Sequence, residues 1–137
     1  MAGYSGTPLP RKLGIKTRCR LGLAKAPEKF AHTLTPLPDG VAITDAARAT
    51  GPFDVIVAFT TTQAALSAAF TRLAPKLDQS GGLWIAWPKK TSPMATVVDE
   101  SVVRRTGLAT EHLVDNKICA IDDTWSALRF VVRLSHR

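Results

Sequence analysis

Between Leu77 and Arg133 the chain switches periodicity in an order that few folds accommodate. The segment Gly81 to Lys90 reads Gly-Gly-Leu-Trp-Ile-Ala-Trp-Pro-Lys-Lys and is apolar on both faces from Leu83 to Trp87. A strand of that kind needs cover above and below, so it belongs at the centre of a sheet. Pro88 stops it, and Gly81-Gly82 is expected to turn the chain into it. A helix over Asp99 to Thr106 follows, opened by a capping-box-like Thr96 to Asp99 and stopped by Gly107 in a left-handed conformation. Two strands close the segment, Asn116 to Asp122 with its apolar run Lys117 to Ile121, and Ala127 to Leu134. The short link Thr124-Trp125-Ser126 makes them an antiparallel hairpin. In the last strand Leu128, Phe130, Val132 and Leu134 share one face, and Arg129 and Arg133 share the other.

The upstream half supplies the partners. Arg18 to Ala24 alternates, with Cys19, Leu21 and Leu23 on one side, which predicts a strand with one wet face or one covered by the N-terminal arm. Its place in the sheet, central or near an edge, is open. Pro27 to Leu34 predicts a short helix, Leu37-Pro-Asp-Gly40 a turn and Val41 to Thr44 a short strand. Phe53 to Thr60 reads as a strand covered on both faces. Leu66, Ala69, Phe70, Leu73 and Leu77 then fall at helical spacing, with Thr61 or Thr62 as the cap and Pro75 as the end or kink. Helices between strands require right-handed crossovers. The expectation is an α/β domain: three-layer, Rossmann-like, a mostly parallel sheet of about six strands with a C-terminal antiparallel hairpin. Residues 1–137 make one domain, with 1–14 as an extended N-terminal arm.

Charge is concentrated at the start. Residues 1–30 carry seven Lys or Arg and one acid, Glu28, whereas the remainder is nearly balanced. A basic segment of this sort attracts phosphate polymers and anionic surfaces. Arg11, Lys12, Lys16, Arg18 and Arg20 also read as ordinary solvated charges, and no aromatic residues accompany them as single-strand stacking would want. Cys19 and Cys119 lie in separate apolar runs without a CxxC or Cys/His cluster, so free thiols, no metal site and a cytoplasmic location are expected. No window holds the ~20 apolar residues of a membrane span, and Pro8, Pro10 and Gly14 interrupt any signal-peptide pattern.

The run Asp54 to Arg133, with its amphipathic helix, Gly-Gly pair, central strand, Gly-Leu helix stop and final hairpin, resembles the C-terminal half of class I methyltransferases. The whole chain also resembles a family of small, largely actinobacterial proteins that share a domain of unknown function. Gly3 to Leu9, Lys12 to Lys16, Ala26-Pro27, Leu83 to Lys90, Val114 to Lys117, Ala120 to Asp122 and Trp125-Ser126 carry that likeness, which implies no activity. The methyltransferase likeness implies a glycine-rich turn after the first strand and an acid ending the second, both serving S-adenosylmethionine. Here the first turn is Leu21-Gly-Leu-Ala-Lys-Ala-Pro27, and Asp45 alone matches the acid, so no cofactor is expected.

Ligands in open α/β sheets sit beyond the carboxyl ends of the strands. Those ends carry Lys25, Thr60, Thr61, Thr62, Lys89, Lys90 and Asp122, a set suited to an anion, although solvated lysines beside a helix cap would give the same pattern. Trp87 and Trp125 read either as core and rim residues or as an aromatic wall for a planar ligand. Cys119, Ser126, His32, His112 and His136 cannot be paired into nucleophile and base, and Asp122 and Asp123 project apart. The reading is an uncharacterised, non-catalytic domain binding a small anionic ligand or a protein partner. A methyltransferase-related enzyme lacking the cofactor glycines and an accessory nucleic-acid binder are the alternatives. Oligomeric state is open.

Overall fold

The computed structural model describes residues 7–137. A short helix α1 (Leu9–Lys12) leads to strand β1 (Arg20–Ala24), then helix α2 (Phe30–Thr33) and strands β2 (Ala42–Asp45) and β3 (Phe53–Phe59). Helix α3 (Gln63–Leu73) and a 3-10 turn (Ala74–Lys76) precede the long strand β4 (Leu77–Pro88). Helix α4 (Glu100–Leu108) and strands β5 (Leu113–Ala120) and β6 (Trp125–Val132) follow, with a last 3-10 turn at Leu134–His136.

The six strands lie in the order β2-β1-β3-β4-β6-β5. The first four are parallel, β6 runs antiparallel to β4, and β5 runs antiparallel to β6. The predicted mixed sheet and terminal hairpin are therefore present, and β1 is interior, flanked by β2 and β3.

Alternation along the central strands divides the core into two layers. Ile56, Ala58, Leu83, Ile85, Trp87, Leu128 and Phe130 face α3 and α4. Val55, Val57, Phe59, Trp84, Ala86, Trp125 and Ala127 face Leu9, Leu13, Phe30 and Leu34 from the N-terminal segment, α1 and α2. The stripe on α3 falls as its spacing requires, with Leu66, Ala69, Phe70 and Leu73 buried. Thr62 is its cap: Thr62 Oγ1 accepts from Ala65 N at 3.0 Å.

Three sequence expectations are corrected. The start of the chain is not an extended arm throughout: within 7–14, Leu9–Lys12 is helical and Leu13 is fully buried. Trp84 Nε1 donates to Leu13 O at 3.0 Å and ties this segment to the sheet. The part of the arm before residue 7 lies outside the described residues. Gly81 and Gly82 are not a turn but lie within β4, where the register with β3 shifts. A Cβ on Gly81 would press on the carbonyl of Asp54, so close backbone approach explains this glycine. Gly107 is not a left-handed stop; it sits inside α4 against the ring of Phe130, with Phe70 beside it, and the helix ends at Ala109 in right-handed geometry. Phe70 and Phe130 pack edge to face with centroids 5.0 Å apart, an arrangement that leaves no volume for a side chain at Gly107.

Candidate functional site

The carboxyl edge of the parallel strands holds the residues expected to gather there, but it distributes the charged ones over three cavities. Lys25, in a left-handed conformation at φ 58°, lines a shallow hollow of about 470 Å³ with Ile43, Thr44 and Asp45 at the ends of β1 and β2. Lys89 and Lys90 line a second of about 450 Å³ with Trp87, Asp99, Glu100 and Ser126. Asp122 and Trp125 border a third of about 390 Å³ with Phe30, Phe59 and Met94. Each cavity mixes acid and base.

Local bonds explain much of this spread. Thr60 is buried, its Oγ1 donating to Ala86 O at 2.9 Å, and Thr62 is occupied as the helix cap. Thr60, Thr61 and Thr62 line none of these cavities. Asp122 Oδ1 accepts from Thr124 N and Trp125 N, both at 2.8 Å, so this carboxylate closes the β5–β6 turn. Asp45 Oδ1 accepts from Ala47 N at 2.9 Å and Oδ2 faces Arg48 Nε at 3.7 Å. Lys90 Nζ lies 3.9 Å from Asp99 Oδ2, whereas Lys89 has no carboxylate partner among the described residues. Trp87 packs in the layer under α3 and α4 and Trp125 in the opposite one, so the sheet separates the two indoles instead of joining them in one wall.

The candidate nucleophiles and bases also stay apart. Cys119 is half-buried, and desolvation pushes its thiol up to about 11 despite the nearby Lys12, which keeps it protonated and unreactive at neutral pH. His112 Nδ1 meets Thr110 O, and His136 Nδ1 meets the neighbouring Ser135 Oγ. Among the described residues no group of three or more His, Cys, Asp and Glu could hold a metal ion, and no helix is long and apolar enough to cross a membrane.

The amino edge contains a hollow that strand-end reasoning did not seek. At about 480 Å³ it lies where β1, β3 and β4 begin, bounded by Arg11, Lys12, Lys16, Arg18, Lys117 and Arg129, with Asp54 as its carboxylate. Asp54 Oδ2 accepts from Arg20 N at 2.7 Å. The usable signal was Arg129: a guanidinium on a strand whose neighbours on both sides are paired must lie across the sheet surface, not in open water.

No family model matches the chain, and no curated protein matches it in sequence. Solved structures match by fold. A Sulfolobus solfataricus protein assigned as a type 11 methyltransferase superposes with a TM-score of 0.63 at 11% identity, over 94% of this chain and 92% of that one. Magnesium protoporphyrin IX methyltransferase from Synechocystis, solved with S-adenosylhomocysteine, gives 0.57 at 12% identity over 91% and 78%. The N-methyltransferase NodS from Bradyrhizobium japonicum gives 0.51 at 16% identity over 82% and 84%. The chain thus has the class I methyltransferase fold, in a Rossmann-like mixed sheet of six strands.

Proposed function

We propose that the protein is a binding domain built on the methyltransferase fold, one that does not itself transfer methyl groups. The observation that supports this reading is the turn after β1. Relatives that use S-adenosylmethionine need glycine there, so that backbone N–H groups approach the cofactor closely. This chain has Lys25, Ala26 and Pro27 at that place: all three positions carry side chains and the third also lacks an N–H. Asp45 ends β2 as the fold would have it, but both of its oxygens are engaged locally. These residues do not fit the cofactor. Titration calorimetry with S-adenosylmethionine and S-adenosylhomocysteine is expected to show no binding, and saturable micromolar binding of either would overturn the reading.

The ligand proposed for the carboxyl edge is a small molecule with an acidic group, held in the cavity between β4, β6 and the start of α4. Lys89 supplies the unpaired charge there, with Lys90, Ser101 and Ser126 beside it. Lys25, Thr60, Thr61, Thr62 and Asp122 drop out of that contact set for the geometric reasons above. In a thermal-shift screen of carboxylate- and phosphate-bearing metabolites, a ligand should stabilise the wild type and not Lys89→Ala/Lys90→Ala; equal stabilisation of both would end this proposal.

One observation favours the alternative of a methyltransferase-related enzyme: Asp45 stands beside a hollow at the ends of β1 and β2. The same calorimetry decides between the two. Membership of the small actinobacterial family and a cytoplasmic setting are part of the proposal, the second supported by two free cysteines.

A further inference from the structure

We propose that the hollow at the amino edge of the sheet is a binding site for a compact polyphosphate group, a site independent of anything bound at the carboxyl edge. The fold brings together cations that lie far apart in sequence: Arg11, Lys12, Lys16 and Arg18 from the N-terminal segment, Lys117 from β5 and Arg129 from β6. Asp54 is the only carboxylate among the described lining residues, and one of its oxygens already holds Arg20 N. Each carboxyl-edge cavity, by contrast, is lined by at least as many acids as lysines.

The segment carrying four of these cations is fixed, not trailing. Its own Leu9, Leu13 and Ile15 are buried in the core, Trp84 Nε1 donates to Leu13 O, and Arg18 N donates to Asp39 O at 2.8 Å. Arg129 is a half-buried cation of this lining. Its register partner is Trp84 of the adjacent β4, and it has no carboxylate partner among the described residues. Its guanidinium lies over Gly82, where any Cβ would overlap it, so the missing side chain at Gly82 makes the bed for this arginine. Burial and the neighbouring Arg137 both push the Arg129 pKa down, a destabilisation of the cation that a bound anion would relieve.

The lining also sets the ligand class. Thr17 adds a hydroxyl donor, and among the described lining residues there is no aromatic ring to stack a base. Several cations around one small volume match the clustered charge of linked phosphates better than a single carboxylate. The phosphates can belong to an inorganic polyphosphate or to the tail of a nucleotide, and the test separates these sources.

The experiment is titration calorimetry of the full chain with inorganic triphosphate, at low and raised salt, with melting temperatures confirming that each variant is folded. Saturable binding that weakens with salt, and that falls ~10-fold or more in Lys12→Gln/Arg129→Gln while Lys89→Ala/Lys90→Ala is unchanged, supports the site. Arg129→Lys gives a second readout: it keeps the charge, loses the planar fork, and should bind at an intermediate strength. Similar affinity for adenosine triphosphate identifies the tail as sufficient, and triphosphate binding alone identifies the inorganic source. No triphosphate binding by the wild type, equal loss in the carboxyl-edge variant, or tighter binding of a single-stranded oligonucleotide than of triphosphate would overturn the proposal. Failure here leaves the S-adenosylmethionine titration untouched.

Discussion

The two edges of this sheet were made by the same strands and came out opposite in character. At the carboxyl edge, lysines, threonines and aspartates are divided among separate hollows and largely absorbed by caps and turns. At the amino edge, six basic side chains surround one hollow with a single carboxylate. The difference lies in what covers each edge. Loops that leave strand ends must satisfy their own backbone, and Thr62, Asp99 and Asp122 are spent on that need. The amino edge is roofed by a segment from outside the sheet, pinned by apolar residues, whose charged side chains make no ion pair among the described residues.

The comparison can be broken most directly by removing the roof. Leu13→Ala deletes a fully buried side chain and should cost about 2–5 kcal/mol, read from urea unfolding. If triphosphate affinity survives that loss, the N-terminal segment does not shape the hollow. Trp84→Phe keeps most of the packing but strands Leu13 O without its donor, which should cost about 1–3 kcal/mol and weaken triphosphate binding. Caps at the other edge should matter less: Thr62→Ala and Asp99→Ala should each cost about 1 kcal/mol with no change in triphosphate affinity. Smallest of all, Lys90→Ala removes an exposed pair with Asp99 and should move stability by about 0.5 kcal/mol or less.

A pH measurement sharpens the same contrast. The folded Cys119 thiol is raised to about 11 from an ordinary 9.0. The unfolded chain therefore ionises first, and the stabilisation from keeping this thiol neutral is complete below 9.0 and lost as pH rises through about 11. Alkylation of Cys119 at neutral pH should be slow, and slower still with triphosphate bound, because the anion cancels the Lys12 charge that favours the thiolate. Unchanged alkylation on saturation would place the ligand away from Lys12.

The architecture was legible because the decisive signals were periodic. Leu83 to Trp87 needed cover on both faces, the α3 stripe was helical, and a short link, read at Thr124 to Ser126, forced an antiparallel pair, although Trp125 and Ser126 themselves belong to β6. Glycines were misread where their role was spatial. Gly81 and Gly107 look like punctuation in one dimension, yet they serve close approach to residues far along the chain, Asp54 and Phe130. The candidate site suffered from the same blindness. Strand ends told where Lys25, Lys89 and Asp122 would stand but not which side chains would come between them. Nothing local marked Arg11 and Arg129 as neighbours across more than a hundred residues of chain.

The indole of Trp84 bridges the middle of the sheet and the lid-like N-terminal segment, beside the strand position of Arg129. That placement makes it a natural optical gauge. Its emission, isolated by subtracting the spectrum of Trp84→Phe, should shift when an anion settles into the hollow, so the molecule carries its own indicator of occupancy without any attached dye.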